Sequence, residues 1–217
     1  MTGILNKPPQ TYQGQFGEYE ITKDDRLEVL IYRTGLVIAA GSFAIASNLF
    51  FIQGKAAIPA ITPLFVLFTI GLGVSLYFIH IYMKLLHRVL QGFWLIGTVA
   101  TIAIAIQANE PLALYIYNNP LTLLGTGFIF AALTGIFFKE AFCFNRAETK
   151  ILTPVVPILL LGHMAGIIPI EMEQALLGIW SLGFSVFAIR KMTQEIDPDI
   201  GDKSVFAYLK SEAAKNN

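Results

Sequence analysis

Long apolar stretches alternate with short polar stretches along most of the chain, and this pattern predicts membrane-spanning helices. A helix needs about 20 mostly apolar residues to cross the hydrocarbon core of a bilayer. Six stretches approach that length, at residues 34–52, 59–82, 89–106, 121–138, 151–170 and 175–189. The expected fold class is therefore all-α, a polytopic membrane bundle of six transmembrane helices.

Polar segments flank the apolar region at both ends of the chain. The expected division is a polar N-terminal tail at residues 1–25, a transmembrane domain at residues 26–190 and a polar C-terminal tail at residues 191–217. The first helix should begin near Thr22, because Thr-Lys-Asp-Asp offers an N-cap followed by acids in the first turn. A short amphipathic helix is expected at residues 204–213, and an interfacial apolar patch at residues 112–117.

The composition supports a membrane protein. Hydrophobic residues make up 55% of the 217 residues, charged residues only 14%, and the mean hydropathy is +0.62, whereas charged residues are about 25% of a soluble domain. A soluble fold of this size has too little interior to bury that much apolar surface. The formal net charge of +0 gives no overall field that would attract nucleic acid. The single cysteine, Cys143, excludes an intrachain disulfide.

The basic residues predict the orientation of the bundle. With six spans, both tails, the second-to-third loop and the fourth-to-fifth loop share one side. Of the 15 basic residues, Lys55 alone falls on the other side. Lys and Arg accumulate in the cytoplasmic loops of membrane proteins. Both termini are therefore predicted on the cytoplasmic, or stromal, side.

His163 is the main candidate for a ligand-binding residue. It lies about a dozen residues into the fifth stretch, so we expect it near the middle of the bilayer. An ionisable residue at that depth is a functional candidate, and a neutral imidazole can ligate a metal such as the magnesium of chlorophyll. Two alternatives stay open: a transport role, or a hydrogen bond to a backbone carbonyl or a hydroxyl. The hydroxyl candidates are Thr98, Thr101, Thr134 and Ser181.

A basic stripe is the second candidate, provided that one helix continues through the second-to-third connector. Its members follow the spacing of one helical face and are His80, Lys84, His87 and Arg88. Such a stripe at the cytoplasmic interface fits anionic lipid head groups or an acidic partner. The alternative is a set of solvated side chains that only reflects the orientation of the chain.

Small residues at four-residue spacing predict close helix packing, because they let helix backbones approach each other in a membrane. The fourth stretch carries Gly127, Ala131 and Gly135, and the fifth carries Gly162 and Gly166. The alternative is that small residues are simply frequent in membrane helices.

No residue pattern indicates catalysis. The chain has no GxSxG, no HExxH, no phosphate-binding glycine loop and no nucleotide fingerprint. A b-type haem is disfavoured, because His80 and His87 lie near the basic-side ends of their stretches and not at the depth expected for His163. We therefore expect a non-enzymatic protein with no catalytic residues and no metal site formed by the protein alone.

Three stretches carry a resemblance to a known family. They are DDRLEVLIYRTGLVIAAGSF, GIFFKEAFCFNRAETKILTPVVPILLLGHMAGIIP and IDPDIGDKSVFAYL. Together they resemble an uncharacterised integral membrane family of cyanobacteria and plant plastids, from about residue 12 to about residue 209. The resemblance implies a photosynthetic membrane, the thylakoid or the plasma membrane of a cyanobacterium. It brings no functional residue with it.

Three functional hypotheses of different class follow, of which a membrane enzyme that acts on a lipid or pigment is the one without a supporting residue pattern. The first is a non-enzymatic protein that assembles or stabilises a larger photosynthetic membrane complex and contacts pigment through His163. The alternative is a transporter or channel for a small solute, with His163 lining the path. The expected partners are the lipid bilayer and a larger membrane protein complex, and not nucleic acid.

Overall fold

The computed structural model describes residues 8–215, with side chains to residue 209 and at residue 211. An antiparallel hairpin comes first, with strands β1 Gln10–Gly14 and β2 Gly17–Ile21. The helices, in chain order, are α1 Lys23–Gln53, α2 Ile58–Phe78, α3 Lys84–Gln107, α4 Leu112–Asn118, α5 Leu123–Phe144, α6 Ala147–Ala165, α7 Ile170–Thr193, α8 Asp197–Ile200 and α9 Ser204–Lys215. Two 3-10 turns, Gly54–Ala57 and Pro120–Thr122, precede α2 and α5.

Four stretches of the described chain are long and apolar enough to cross a membrane. They are Lys23–Phe78, Lys84–Gln107, Pro120–Phe144 and Ile170–Thr193. The first contains both α1 and α2, which pack side by side. Polar residues in the first turn of α6 and His163 in its last turn lower the hydropathy of that helix. The prediction of a helical membrane protein is confirmed, and the count of six spans stays a prediction.

Two glycines bring α1 and α2 into backbone contact. A Cβ atom on Gly35 would lie 2.6 Å from the carbonyl oxygen of Gly71, and one on Gly71 would lie 2.7 Å from the carbonyl oxygen of Gly35. Only a residue without a side chain fits at such a distance, which is typical of helix pairs in membranes.

The helices run between two ends of the bundle. We call one of them the terminal end, because the N-terminal hairpin and the C-terminal segment meet there. The Tyr12 hydroxyl donates to the Asp197 carboxylate over 2.7 Å, and the Asp202 amide donates to the Tyr82 hydroxyl. The opposite end holds the Gly54–Ala57 turn, α4 and the α6–α7 link.

The N-terminal segment, expected only as a polar tail, contains the β1–β2 hairpin. Its strands pair from Gln10 opposite Ile21 to Gly14 opposite Gly17. The turn between them has two residues, and Gly17 adopts a φ of 134°, which favours glycine. Residues 1–7 of the predicted tail lie outside the described part of the chain.

Two sequence predictions about local structure are confirmed. Thr22 caps α1 in a capping box, since its hydroxyl accepts from the Asp25 amide and the Asp25 carboxylate accepts from the Thr22 amide. A C-terminal helix forms at Ser204–Lys215, where residues 204–213 were expected.

The position predicted for His163 was wrong. The fifth apolar stretch was expected to continue to residue 170, but α6 ends at Ala165 because Gly166 adopts a left-handed φ of 65° and caps the helix. Pro169 then occupies the N-cap position of α7. His163 therefore lies in the last turn of α6, at the end of the bundle opposite the termini.

The small-residue row on α5 packs only in part. Gly135 lies against Leu90 of α3, whereas a side chain at Gly127 would meet no atom within 4 Å and Ala131 is exposed. A four-residue step advances about 40° around a helix, so the row turns away from α3 along its length. On α6, Gly162 contacts Ile168 of the following link, and Gly166 ends the helix.

Candidate functional site

An apolar pocket of about 340 Å³ opens between the helices at the end opposite the termini. Its wall combines aliphatic residues with an aromatic group formed by Phe43, Phe65, Phe68 and Phe130. Four serine and threonine hydroxyls also line it, those of Ser42, Ser47, Thr62 and Thr126. Ser47 and Thr126 donate to carbonyls four residues earlier in the chain, and most of the wall is apolar. The volume falls in the range of about 300–1,000 Å³ that is usual for small-molecule sites.

One corner of the apolar pocket is polar. His163 of α6 and Glu173 of α7 meet there, with 2.7 Å between Nδ1 and Oε1. The ring of Tyr117 in α4 stacks on the imidazole at 4.7 Å between centroids, and its hydroxyl donates to Glu173 over 3.4 Å. We call Tyr117, His163 and Glu173 the polar corner. Burial and the Glu173 carboxylate raise the pKa of the Tyr117 phenol, so this hydroxyl stays protonated and remains a donor.

Both imidazole nitrogens of the polar corner face acceptor oxygens. Nδ1 lies beside the Glu173 carboxylate, and the second nitrogen, Nε2, lies 3.2 Å from the Tyr117 carbonyl oxygen, which can only accept. The imidazole is therefore the hydrogen-bond donor of this corner, and the Glu173 carboxylate and the Tyr117 carbonyl are its acceptors.

The arrangement of His163 does not fit an axial ligand for chlorophyll. Ligation of magnesium needs an imidazole nitrogen with a free lone pair. Both ring nitrogens are engaged, one by Glu173 and the other by the Tyr117 carbonyl. The Tyr117 ring also covers one face of the imidazole. Among the alternatives left open by the sequence, the hydrogen bond to a backbone carbonyl matches the geometry.

A cluster of buried charges lies at the terminal end. Lys191 of α7 is completely buried and its Nζ lies 2.7 Å from Glu140 Oε2 and 2.5 Å from Asp199 Oδ1. Glu140 also accepts from Lys139 over 2.8 Å, and Asp199 accepts from two nitrogens of Arg33 over 2.7 and 2.9 Å. We call these five residues the ionic cluster.

The ionic cluster connects the C-terminal segment to the helices. Its members come from α1, α5, α7 and α8, and Arg33 also donates to the carbonyls of Gln194 and Glu195. Lys191 lies 4.2 Å from the centre of the Phe144 ring, a distance that allows a cation–π contact. Every charged group in the cluster has an opposite partner, as burial of charge requires. This arrangement is structural in character and leaves no group free for chemistry.

The predicted basic stripe is not one helical face. α2 ends at Phe78 and α3 begins at Lys84, so His80 lies in the loop between them. The structure nevertheless brings His80, Lys84, His87 and Arg88 together, since all four line a second cavity at the terminal end.

Sequence reasoning missed Glu173 and Tyr117 as partners of His163. A local signal was present for Glu173, because the Gly166–Pro169 link ends one helix and starts the next, and so brings the facing ends together. The ionic cluster had no such signal. Arg33 and Asp199 are separated by 166 residues, and Lys191 and Glu140 by 51.

No group of three or more His, Cys, Asp or Glu side chains within the described residues could hold a metal ion. The charged side chains that do cluster pair with one another, as the ionic cluster shows.

Comparison with known proteins gives one result. A family model described as "Uncharacterized integral membrane protein (DUF2301)" matches residues 74–208, from the last turns of α2 into α9. No curated protein and no solved structure matches the chain. The matched region includes His163, Glu173 and four of the five residues of the ionic cluster. Because it covers more than half of the 217 residues, this chain belongs to that family of integral membrane proteins.

Proposed function

We propose that this membrane protein is non-enzymatic and holds a neutral, amphipathic, lipid-like molecule in its apolar pocket. One observation carries the proposal, namely an apolar wall that has a single polar corner. A hydrocarbon chain or ring system gains contact with the aromatic and aliphatic wall. A hydroxyl or carbonyl head group finds hydrogen-bonding partners at the corner.

The contacts within the polar corner support an uncharged head group. His163 and Glu173 each have the other as polar partner, so neither is left unpaired for an ionic head group to neutralise. An ion buried beside this pair would lose hydration without gaining a free counter-charge. The amide side chain of Gln174, which also lines the pocket, adds a donor and an acceptor for a neutral group.

The wider role that we propose is an assembly factor or auxiliary subunit of a larger membrane complex. The hairpin and the C-terminal segment support it, because they form one ordered polar surface at the terminal end and not two separate tails. The resemblance to a family of cyanobacteria and plastids supports a photosynthetic complex in the thylakoid or plasma membrane. The lipid-like molecule would then be a pigment-related or structural lipid of that membrane.

We further propose six spans with both termini on the cytoplasmic or stromal side. Three features support this topology. α1 and α2 fold back on each other within one apolar stretch, and the two terminal segments contact each other. The isolated basic residue Lys55 lies in the Gly54–Ala57 turn at the opposite end.

The test is to identify what the pocket retains after gentle solubilisation. The protein would be purified in mild detergent, and its bound apolar molecules identified by mass spectrometry and absorption spectroscopy. Ala46→Phe adds a ring inside the pocket that Ala46 lines. Ala131→Phe makes the same change on an exposed face of α5 and serves as the control.

We expect one neutral amphipathic species near one molecule per chain in the wild type. Ala46→Phe should lower that amount at least several-fold, while Ala131→Phe should leave it unchanged. Equal retention by both variants, or retention of charged lipids only, would contradict the proposal.

The alternative function is transport of a small solute, and the titratable pair in the polar corner is the observation that favours it. Ionisable residues in membrane segments often mark solute or proton paths. Uptake by proteoliposomes should then fall when His163→Leu breaks the pair. Uptake that His163→Leu leaves unaltered would end this alternative.

A further inference from the structure

A second cavity, of about 580 Å³, lies at the terminal end where α2 ends and α3 begins. We call it the basic pocket. Its wall comes from α1, the end of α2, the α2–α3 loop, α3 and α9, the last through Phe206. The titratable lining residues are Glu28, Tyr77, His80, Lys84, His87 and Arg88. The remaining lining residues are Gln91 and the apolar residues Phe78, Ile79, Ile81 and Phe206.

We propose that the basic pocket binds the phosphate group of an anionic lipid. The inference is independent of the ligand proposed for the apolar pocket, because the two cavities lie at opposite ends of the bundle and share no residue.

The fixed charges of the basic pocket leave a surplus of one positive charge. Lys84 and Arg88 form no ion pair with a carboxylate in the described part of the chain. Glu28 lies within the same pocket beside His80, with 3.2 Å between its Oε2 and Nε2 of His80. Two cations and one carboxylate sum to +1, which a phosphodiester of charge −1 neutralises.

The two histidines contribute hydrogen-bonding groups to the wall of the basic pocket. Burial lowers the pKa of His80 even though Glu28 lies beside it, so this ring is neutral at pH 7. Nε2 of His87 lies 2.7 Å from the carbonyl oxygen of Leu76, which fixes the ring against the end of α2.

The start of α3 lacks the usual means of helix stabilisation. No side chain caps it, and its first turn has no acidic residue but begins with Lys84. A cation near the positive end of the helix dipole is unfavourable, and the free amides there have no side-chain acceptor. A phosphate oxygen would accept from these amides and pair with Lys84 and Arg88 at once.

The location of the basic pocket favours a lipid as the source of the phosphate. The pocket lies where two candidate membrane-spanning stretches, Lys23–Phe78 and Lys84–Gln107, meet at their ends. Lipid head groups occupy that level of a bilayer. Free phosphate has the same chemistry, so the experiment has to separate the two sources.

The test uses the full-length protein in nanodiscs of phosphatidylcholine with increasing phosphatidylglycerol, and counts retained lipids by native mass spectrometry. Inorganic phosphate is added in a parallel titration. The double variant Lys84→Gln with Arg88→Gln removes both cations of the basic pocket. Its control, Lys23→Gln with Lys150→Gln, removes two exposed cations outside the pocket.

The double variant should weaken retention of phosphatidylglycerol by roughly 30-fold, since each cation near the surface contributes about 1 kcal/mol. The control should change retention less than twofold. Glu28→Gln should strengthen retention by about fivefold, because it removes the carboxylate from the pocket, and an unfolded protein could not produce such a gain.

Three results would overturn the assignment. Equal losses in the double variant and the control would show a general charge effect. Unchanged retention in the double variant would place the lipid elsewhere. Binding of inorganic phosphate with the same dependence on Lys84 and Arg88, and no preference for phosphatidylglycerol, would make a soluble phosphate the ligand.

Discussion

At the scale of single residues, Glu140 is the member of the ionic cluster whose charge most depends on its partners. Its carboxylate is completely buried and accepts from both Lys139 and Lys191. Removing one partner from a buried ionic group costs about 3–5 kcal/mol, because the remaining charges stay buried without compensation. Glu140 neutralises two ammonium groups, so its loss affects both.

Glu140→Gln should therefore lower the free energy of unfolding by about 3 kcal/mol. The change keeps the size of the side chain, so helix packing is not disturbed, and only the charge is lost. Glu18→Gln, on the exposed face of the hairpin, should change stability by no more than about 0.5 kcal/mol. Denaturant unfolding in detergent measures both.

A loss below about 1 kcal/mol for Glu140→Gln would mean that Lys139 or Lys191 gives up its proton in the variant. The cluster would then tolerate a missing carboxylate, contrary to the expectation.

The sequence predicted the roles of single residues only where their partners lie close by in the chain. The cap at Thr22 was predictable, because its partner Asp25 lies three residues later. The charges of Lys139, Glu140 and Lys191 were visible, but nothing local indicated that the chain buries them together. His163 was found as a candidate, and its depth was wrong because the glycine at position 166 was not recognised as a helix cap.

At the scale of elements, the α1–α2 pair shows how the membrane helices pack. Gly35 and Gly71 permit contact between the two backbones, and the facing atoms are carbonyl oxygens and amides that cannot move aside. Gly41, two turns further along α1, has no atom within 4 Å of the position of a Cβ. Contact with α2 therefore requires a glycine at position 35 and does not require one at position 41.

Gly35→Ala should destabilise the protein by about 2 kcal/mol, because its methyl group would force the helices apart. Gly41→Ala is the matched control and should be neutral or stabilise by up to about 1 kcal/mol, the gain in helix propensity. Thermal unfolding of the two variants in the same detergent compares them directly. Similar midpoints would mean that α1 and α2 do not depend on their contact.

The ends of helices and strands were predicted well where polar residues mark the start of a helix, and poorly elsewhere. α1 and α9 began close to their expected positions, because Thr22 and Ser204 precede runs with helical character. The hairpin was missed because its two turn residues, Gln15 and Phe16, are not a pair that signals a hairpin turn, as Asn-Gly or Asp-Gly is. The connector expected at residues 83–88 is largely the first turns of α3.

At the scale of the whole molecule, the proposed topology places all terminal structure in one aqueous compartment. The hairpin and the C-terminal segment make several contacts. The Gln15 amide donates to the Asp202 carboxylate over 2.7 Å, and Lys203 donates to the Glu20 carbonyl over 3.0 Å. Segments on opposite sides of a bilayer could not form them.

Cysteine labelling in sealed vesicles should therefore mark both termini from the same side. In a Cys143→Ser background, Gln13→Cys and Ser211→Cys should react with an impermeant reagent from one face, and Lys55→Cys from the other. All three positions are exposed on the protein. A position that is not labelled therefore lies on the other side of the membrane and is not buried within the protein. Opposite labelling of Gln13→Cys and Ser211→Cys would contradict the topology of six spans.

The pairing of Arg33 with Asp199 has a consequence for biosynthesis. Arg33 is synthesised as part of the first helix, whereas its partner Asp199 is translated 166 residues later. During translation Arg33 must stay hydrated or bond to another acceptor. The contacts of the terminal end can form only after almost the whole chain has been synthesised. Truncated products of this chain would thus keep an unsatisfied cation near the bilayer surface, a feature by which quality-control proteases could distinguish them from the complete protein.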